Sequence, residues 1–258
     1  MAPATQVGIV TGGSRGIGRA ISQRLAAGGV RVCVNYTAQP APADALVAEI
    51  RAAGGHAIAV AADVADPKAV QAMMARAEAE LGAITILVNN AGVSAPATLE
   101  TFDAAALDRM RQVNVNGVIH TVRAVMEGMK ARGYGRIVNI ASNAAIGTAL
   151  PGTTFYGATK AEVLILTRRF AMELGRSGIT VNAVAPGWIV TDMARRGATE
   201  EAFAARVASM RERTMVGRVG APEDIAAAVA FLTRQDASFV TAQVLTVDGG
   251  RMDYIGHG

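Results

Sequence analysis

The stretch TGGSRGIGRAI, Thr11 to Ile21, places four glycines within seven residues, between an apolar run and a segment of helical periodicity. Glycine weakens strands and helices alike, so a cluster of them marks a turn whose backbone must come close to something. The common dinucleotide fingerprint is Gly-x-Gly-x-x-Gly, after a strand and opening a helix. Here the spacing is Gly12-x-x-x-Gly16-x-Gly18, with Gly13 as an extra. The setting matches even though the spacing does not: QVGIV at 6–10 reads as a strand, and the helical segment ends at Gly28-Gly29. Gly12 and Gly13 suit a turn with positive φ, while Gly16 and Gly18 suit a close backbone approach. Free N–H groups at the helix start would hold a pyrophosphate. An ordinary glycine-rich turn fits the same residues.

Outward from this turn, strand candidates recur at 30–36, 57–60, 84–89, 136–141, 179–185 and 243–247. Several are apolar at nearly every position, as strands covered on both faces should be. Between them lie segments such as DALVAEIRAAGG, whose apolar residues recur at three and four. The alternation predicts an α/β fold: a single doubly wound Rossmann-type domain over 1–258, with a seven-stranded parallel sheet and helices on both faces. In such sheets ligands bind beyond the carboxyl ends of the strands, where small and polar residues replace aliphatics in this chain.

The chain has 258 residues, 51% hydrophobic, with 28 Gly, 8 Pro and a net charge of +4. That length suits one large domain with an ample core. The 25 Lys and Arg face 21 Asp and Glu without a run of like charge. A nucleic-acid partner is therefore not expected, since that needs clustered charge. Cys33 is the sole cysteine, reads as a buried strand thiol, and agrees with a reducing, cytoplasmic setting. MAPATQVGIV lacks a leader pattern, no apolar run reaches the length of a membrane span, and no metal cluster stands out. His257, in the terminal RMDYIGHG, reads as a solvated tail residue.

With the glycine stretch, NNAG at 89–92, YGATK at 156–160 and PG at 186–187 stand in an order and spacing that resemble the short-chain dehydrogenase/reductase family. Within it the chain is most similar to 3-oxoacyl-[acyl-carrier-protein] reductases, and the likeness runs from about Val7 to the DGG at 248–250. The glycine spacing is this family's own version of the fingerprint. The resemblance implies an enzyme that transfers a hydride between a nicotinamide nucleotide and a ketone or secondary alcohol. It implies catalytic roles for Asn114, Ser142, Tyr156 and Lys160, with Asn114 holding a water of a proton relay and Asn116 as its neighbouring decoy. It implies cofactor contacts from Gly12, Ser14, Arg15, Gly16, Ile17 and Gly18, and from Asn35 and Tyr36 at the second strand's end. Asp63 and Val64 would meet the adenine, although Asp63 could instead cap a turn. Asn90, Ala91 and Gly92 would line the cofactor edge, and Lys160 with Tyr156 the nicotinamide ribose. Pro186, Gly187, Ile189 and Thr191 would meet the carboxamide.

Tyr156 and Lys160 are four apart in a helical segment, hence on one face and one turn apart; spacing alone would equally describe a surface pair. A phenol has a pKa of about 10, and a nearby ammonium with an oxidised nicotinamide favours the phenolate. Ser142 ends the preceding strand, so its hydroxyl can reach the same substrate oxygen; the 14-residue gap to Tyr156 leaves room for a bulge. The second strand ends VNYTAQP, with no carboxylate before Asp44 to take the ribose hydroxyl of NAD. That absence, with the Arg15 guanidinium, points to NADP(H). A neutral strand end also tolerates NAD(H), and Arg15 could be a plain loop charge.

Ser142, Ala144, Ile146, Leu150, Trp188 and Met193 would form a mainly apolar substrate wall, suited to a ketone with an apolar side. A long polar stretch, about 188–220, reads as a loop serving as substrate lid. Reduction of 3-oxoacyl groups on acyl carrier protein is the alternative. Where those reductases present arginines, this chain has Glu127 and Met172, with Arg123, Arg168 and Arg169 nearby. A non-catalytic nucleotide-binding regulator is a further alternative, but it has no need of Asn114, Ser142, Tyr156 and Lys160 together. An epimerase or dehydratase would normally extend further past the DGG at 248–250. The helix carrying Tyr156 continues through Leu164, Leu166 and Phe170, and the resemblance implies pairing of such helices in a homo-oligomer, a tetramer of dihedral symmetry.

Overall fold

The computed structural model describes residues 5–195 and 197–255, so His257 lies outside the described residues. β1 (Val7–Val10) runs through the glycine turn into α1 (Gly16–Ala27). β2 (Arg31–Tyr36), α2 (Pro40–Ala52), β3 (Ala57–Ala61), α3 (Pro67–Leu81) and β4 (Ile86–Asn89) follow. The second half holds α4 (Ala104–Arg111), a π-helical turn (Gln112–Asn116), α5 (Gly117–Arg132), β5 (Gly135–Ile140) and α6 (Thr154–Leu174). β6 (Ile179–Pro186), α7 (Asp192–Arg195), α8 (Glu200–Glu212), α9 (Pro222–Leu232) and β7 (Val244–Val247) complete it. All seven expected strands are present, each within two residues of its expected bounds.

They form one parallel sheet in the order β3-β2-β1-β4-β5-β6-β7. Alternate strand residues serve two cores. Ile9, Cys33, Leu87, Ile137 and Val181 pack with Met73, Val122, Met129 and Val163 of α3, α5 and α6. Val10, Val34, Val88, Val138 and Val184 pack with Ile21, Leu46, Ile225 and Val229 of α1, α2 and α9. Helices begin where a side chain can take up free N–H groups: Asp66 accepts from Lys68 N ahead of α3, and Asp103 from Ala105 N and Ala106 N ahead of α4. After β3 the chain crosses back over β1 to form β4, so strand order reverses between β1 and β4 and a crevice opens beyond their carboxyl ends.

The stretch expected as a loop lid is largely helical. Thr199 caps α8 by accepting from Ala202 N, and Glu200 and Glu201 lie at its positive end. Phe203 and Met210 are its only buried side chains, which is why the segment reads as polar in sequence. Both ends of this stretch are tied together: Val190 N donates to Gly220 O at 3.0 Å, and Gly220 N donates to Trp188 O at 3.2 Å. Among the described residues, no helix is long and apolar enough to cross a membrane.

Asn35, 1% exposed, holds the glycine turn to the sheet. Its Oδ1 accepts from Gly12 N at 3.1 Å, and its Nδ2 donates to Ala62 O at 3.0 Å, Tyr36 O at 3.2 Å and Val60 O at 3.3 Å. Asn35→Asp keeps the acceptor but sets a buried carboxylate against three carbonyls. It should lower the unfolding free energy by about 2–4 kcal/mol. Denaturant unfolding measures this, and an unchanged midpoint would refute the assignment.

Candidate active site

The turn from β1 into α1 is shaped by contact as much as by dihedral freedom. Gly12 (φ +58°) and Gly16 (φ +51°) take the left-handed conformation, whereas Gly13, expected to share it, does not. A Cβ on Gly18 would stand 2.2 Å from Gly12 O and 2.5 Å from Asn90 Nδ2, so α1 packs here only because there is none. A Cβ on Gly16 would point across the crevice to Thr191 Cγ2, 3.3 Å away. α1 starts without a side-chain cap, which leaves its N-terminus free for an anion. Ser14 is buried, Ile17 half-buried, and Arg15 exposed at the rim. A narrow cradle walled by glycine and ending on uncapped N–H groups fits a nucleotide pyrophosphate.

Asn90 fastens the crevice floor, donating from Nδ2 to Thr11 O at 2.8 Å and Gly12 O at 3.0 Å. Thr11 Oγ1 accepts in return from Asn90 N and Ala91 N. Thr11, one of the polar strand ends in the sequence, anchors the crevice floor through these bonds rather than through a ligand. Asn35 does not face the crevice, contrary to expectation, because backbone groups use its whole side chain. Half-buried Tyr36 and exposed Thr37 are the groups beyond it at this strand end. Asp63 behaves partly as the turn cap: Oδ1 accepts from Ala65 N and Oδ2 from Arg109, both at 2.9 Å. Partial burial opposes ionisation, but those two bonds hold Asp63 below the usual carboxylate range. Buried Val64 follows, its carbonyl 3.0 Å from His120 Nδ1. Pro186 ends β6, Gly187 N donates to Val247 O, Ile189 is buried, and Thr191 faces Gly16.

The expected catalytic groups converge on α6. Lys160 is buried, and its Nζ donates to Ile140 O at 2.8 Å and lies 5.9 Å from the Tyr156 ring centre. Burial brings its ammonium down to about 8. Desolvation pushes the Tyr156 phenol up to about 12, outweighing the lowering influence of the Ser142 hydroxyl beside it. In the protein alone the phenol is therefore held protonated rather than drawn towards phenolate. Ser142 Oγ accepts from Ala144 N at 3.1 Å, which starts a 3-10 turn over Asn143–Ala145. A Cβ on Gly157 would stand 2.8 Å from Ala144 O, so this glycine lets α6 rest on that turn and brings Ser142 to Tyr156. Gly157 lay unremarked inside the YGATK motif.

Asn114, in the π-helical turn, joins the chain after β4 to α6. Its Oδ1 accepts from Val93 N, while Nδ2 donates to Val93 O at 2.9 Å and Thr159 Oγ1 at 3.1 Å. A Cβ on Gly92 would lie 3.3 Å from Asn114 Oδ1 and 3.4 Å from Lys160 Nζ, so this glycine keeps open the space between nucleotide edge and lysine. Asn116 is half-buried at the end of the same turn. Ala144, Leu150 and Trp188 are half-buried, while Ile146 and Met193 are exposed. Trp188 stacks on Phe203 at 5.8 Å, which ties the lid to the expected wall. Phe155, next to Tyr156, stacks on Phe102 at 4.9 Å, an apolar pair that sequence reading did not single out. Among the described residues, no group of three or more His, Cys, Asp or Glu could hold a metal ion.

Comparison with known proteins agrees with this geometry. A family model described as Enoyl-(Acyl carrier protein) reductase matches residues 12–251. The chain is 41% identical over 251 residues to the short-chain reductase protein NovJ of Streptomyces niveus, covering 95% of this chain and 93% of that protein. It is 41% identical over 246 residues to a 3-oxoacyl-[acyl-carrier-protein] reductase of Synechocystis, covering 95% and 96%. A solved gluconate 5-dehydrogenase from Burkholderia cenocepacia, in complex with NADP and tartrate, superposes with a TM-score of 0.86 at 35% identity, covering 95% of this chain and 94% of that one. Matched over nearly its whole length in both sequence and fold, the chain belongs to the short-chain dehydrogenase/reductase family.

Proposed function

We infer that this oxidoreductase moves a hydride between NADP(H) and a ketone or secondary alcohol, with Tyr156 as proton donor and acceptor. The observation that carries the reading is the meeting of the Ser142 hydroxyl, the half-buried Tyr156 phenol and the buried Lys160 ammonium, whose Nζ lies 5.9 Å from the Tyr156 ring centre. The nucleotide, when bound, supplies or accepts the hydride. The chain supplies the rest. The protonated phenol of Tyr156 gives its proton to the substrate oxygen as the carbonyl becomes an alcohol, and Ser142 holds that oxygen by a hydrogen bond. Lys160 steadies the resulting phenolate by charge and reaches the ribose. Asn114 keeps the Val93 backbone and α6 in register and would hold the water of a proton relay.

NADP(H) is supported by the absence of a carboxylate at the β2 end, by exposed Arg15 at the turn, and by NADP in the Burkholderia relative. Reduction of a carrier-bound 3-oxoacyl group is the second reading, supported by the Synechocystis relative. On α5 and α6, however, Glu127 is exposed and paired with Lys130, and Met172 is 61% exposed, so an acidic carrier would meet a carboxylate and an apolar side chain. A small free carbonyl compound is the favoured substrate. The sole cysteine, buried Cys33, suits work in a reducing cytoplasm. The homo-oligomer is proposed to pair through α6, the helix that carries Leu164, Leu166 and Phe170. Leu164 and Phe170 pack partly against their own core, and Ile165 and Met172 are the exposed apolar side chains.

Tyr156→Phe should cut kcat by about 10²–10⁴-fold while NADPH affinity, followed by fluorescence, stays near wild type. Retention of more than about a tenth of the turnover would refute the role of the phenol. Arg15→Ala should lower the ratio of kcat/KM for NADPH over NADH by about tenfold or more, since a charge-assisted contact to the 2′-phosphate is lost. A ratio that does not move assigns Arg15 to solvent. Light scattering should give a multiple of the 26.5 kDa chain, four-fold for the tetramer; the mass of one chain would overturn the assembly.

A further inference from the structure

The last described residues are laced into the site. Met215 N and Val216 N, just beyond α8, donate to Gly250 O and Gly249 O, and Met252 N donates to Arg213 O. The chain then turns to the loop between Ser142 and Tyr156. There Ala149 N donates to Asp253 O and Ile255 N to Gly147 O, both at 2.8 Å. One short strap thus joins the end of the lid to the loop that bears Ile146 and Leu150.

Side chains fasten the strap. Arg251, 5% exposed, donates through Nε and Nη2 to the two Asp253 oxygens at 2.6 and 2.7 Å, and Arg213 reaches the same carboxylate at 2.9 Å. The two guanidiniums hold Asp253 below the usual carboxylate range. Tyr254 carries the strap to the reacting end. Its hydroxyl donates to Asp248 Oδ2, and Asp248 backs Gly187, where a Cβ would stand 2.6 Å from the Asp248 Cβ. The same hydroxyl faces the side chain of buried Asn143, next to Ser142. Asn143 Nδ2 is buried without a hydrogen-bond partner among the described residues. A cavity of about 300 Å³, lined by Ile146, Thr246, Asp248, Arg251 and Tyr254, adjoins the contact and gives the loop room to shift.

We propose that Tyr254 is a positioning residue: anchored to Asp248 beside Asn143, it fixes the strap whose backbone bonds hold Gly147 and Ala149, and so sets the 3-10 turn that aims Ser142 at Tyr156. The proposal rests on the reading that Ser142 holds the substrate oxygen. Without the hydroxyl, Asp248 loses a donor, Asn143 loses the group it faces, and the turn can relax into the cavity. A misplacement of about 1 Å at a reacting group is enough for a loss of up to about 10²-fold.

The experiment is a double-mutant cycle on the full chain, with kcat and KM for a reducible ketone, NADPH affinity, and thermal midpoint measured for each variant. Tyr254→Phe should lower kcat about tenfold, within the range such a shift allows, with NADPH affinity unchanged. In a Ser142→Ala background the same change should have no further effect on kcat, since Tyr254 acts through Ser142. An unchanged kcat in the single variant, or an equal loss in both backgrounds, overturns the proposal, the second outcome assigning Tyr254 to stability alone. If Ser142→Ala by itself leaves kcat intact, the catalytic reading of Ser142 fails instead. Should Tyr254→Phe not fold, Asn143→Ala breaks the contact from its other side and is read in the same cycle.

Discussion

Where β1 and β4 part, the Asn90 amide donates to the carbonyls of Thr11 and Gly12, and the site hangs from those two bonds. Neither carbonyl has a strand partner once the sheet opens, and an unmet buried acceptor is costly. Closing them with one side chain holds the glycine turn beside the strand that carries Ala91 and Gly92. It also fixes where α1 can lie, because Gly18 sits on the same carbonyl and the same amide. Asn35 performs the matching task from β2. A nucleotide would therefore meet a floor already rigid, with little ordering left to do on binding.

Burial governs the reacting pair in opposite senses. It favours the neutral form of each group, so the phenol rises to about 12 while the ammonium falls to about 8. At neutral pH this leaves Tyr156 protonated and Lys160 charged, the arrangement needed at the start of carbonyl reduction. The Ile140 carbonyl accepts from Lys160 at 2.8 Å and points the ammonium along α6, the helix that also carries the phenol. The fold thus sets protonation and orientation together.

The sheet was legible because its strands are apolar on both faces and its turns are marked by glycine. Tyr156 and Lys160 were legible through the family resemblance of the YGATK stretch, since their spacing alone describes a surface pair as well. Where sequence reading failed, the missing information was three-dimensional. Asn35 looked like a polar strand end open to a ligand, yet backbone donors and acceptors from neighbouring strands claim it. Gly13 looked like its neighbour Gly12, but which of two adjacent glycines takes positive φ depends on what each backbone must meet. The helix α8 was hidden by its polarity, since it buries only Phe203 and Met210. The residues after the DGG at 248–250 carry no periodicity at all, and their role follows only from pairing with two distant loops.

The lid leaves and rejoins the body of the protein at nearly one point, because Gly220 bonds to both Trp188 and Val190. A loop whose ends are already joined pays little for what is inserted between them, since closure entropy grows only slowly with length. The residues from Thr191 to Val219 are thus a cassette. Its two ends stay bound, Thr191 against Gly16 and Met215 and Val216 to the backbone of Gly250 and Gly249, so a change of length is absorbed between them. A segment joined at its base in this way can differ in length without disturbing the sheet-borne crevice beneath it.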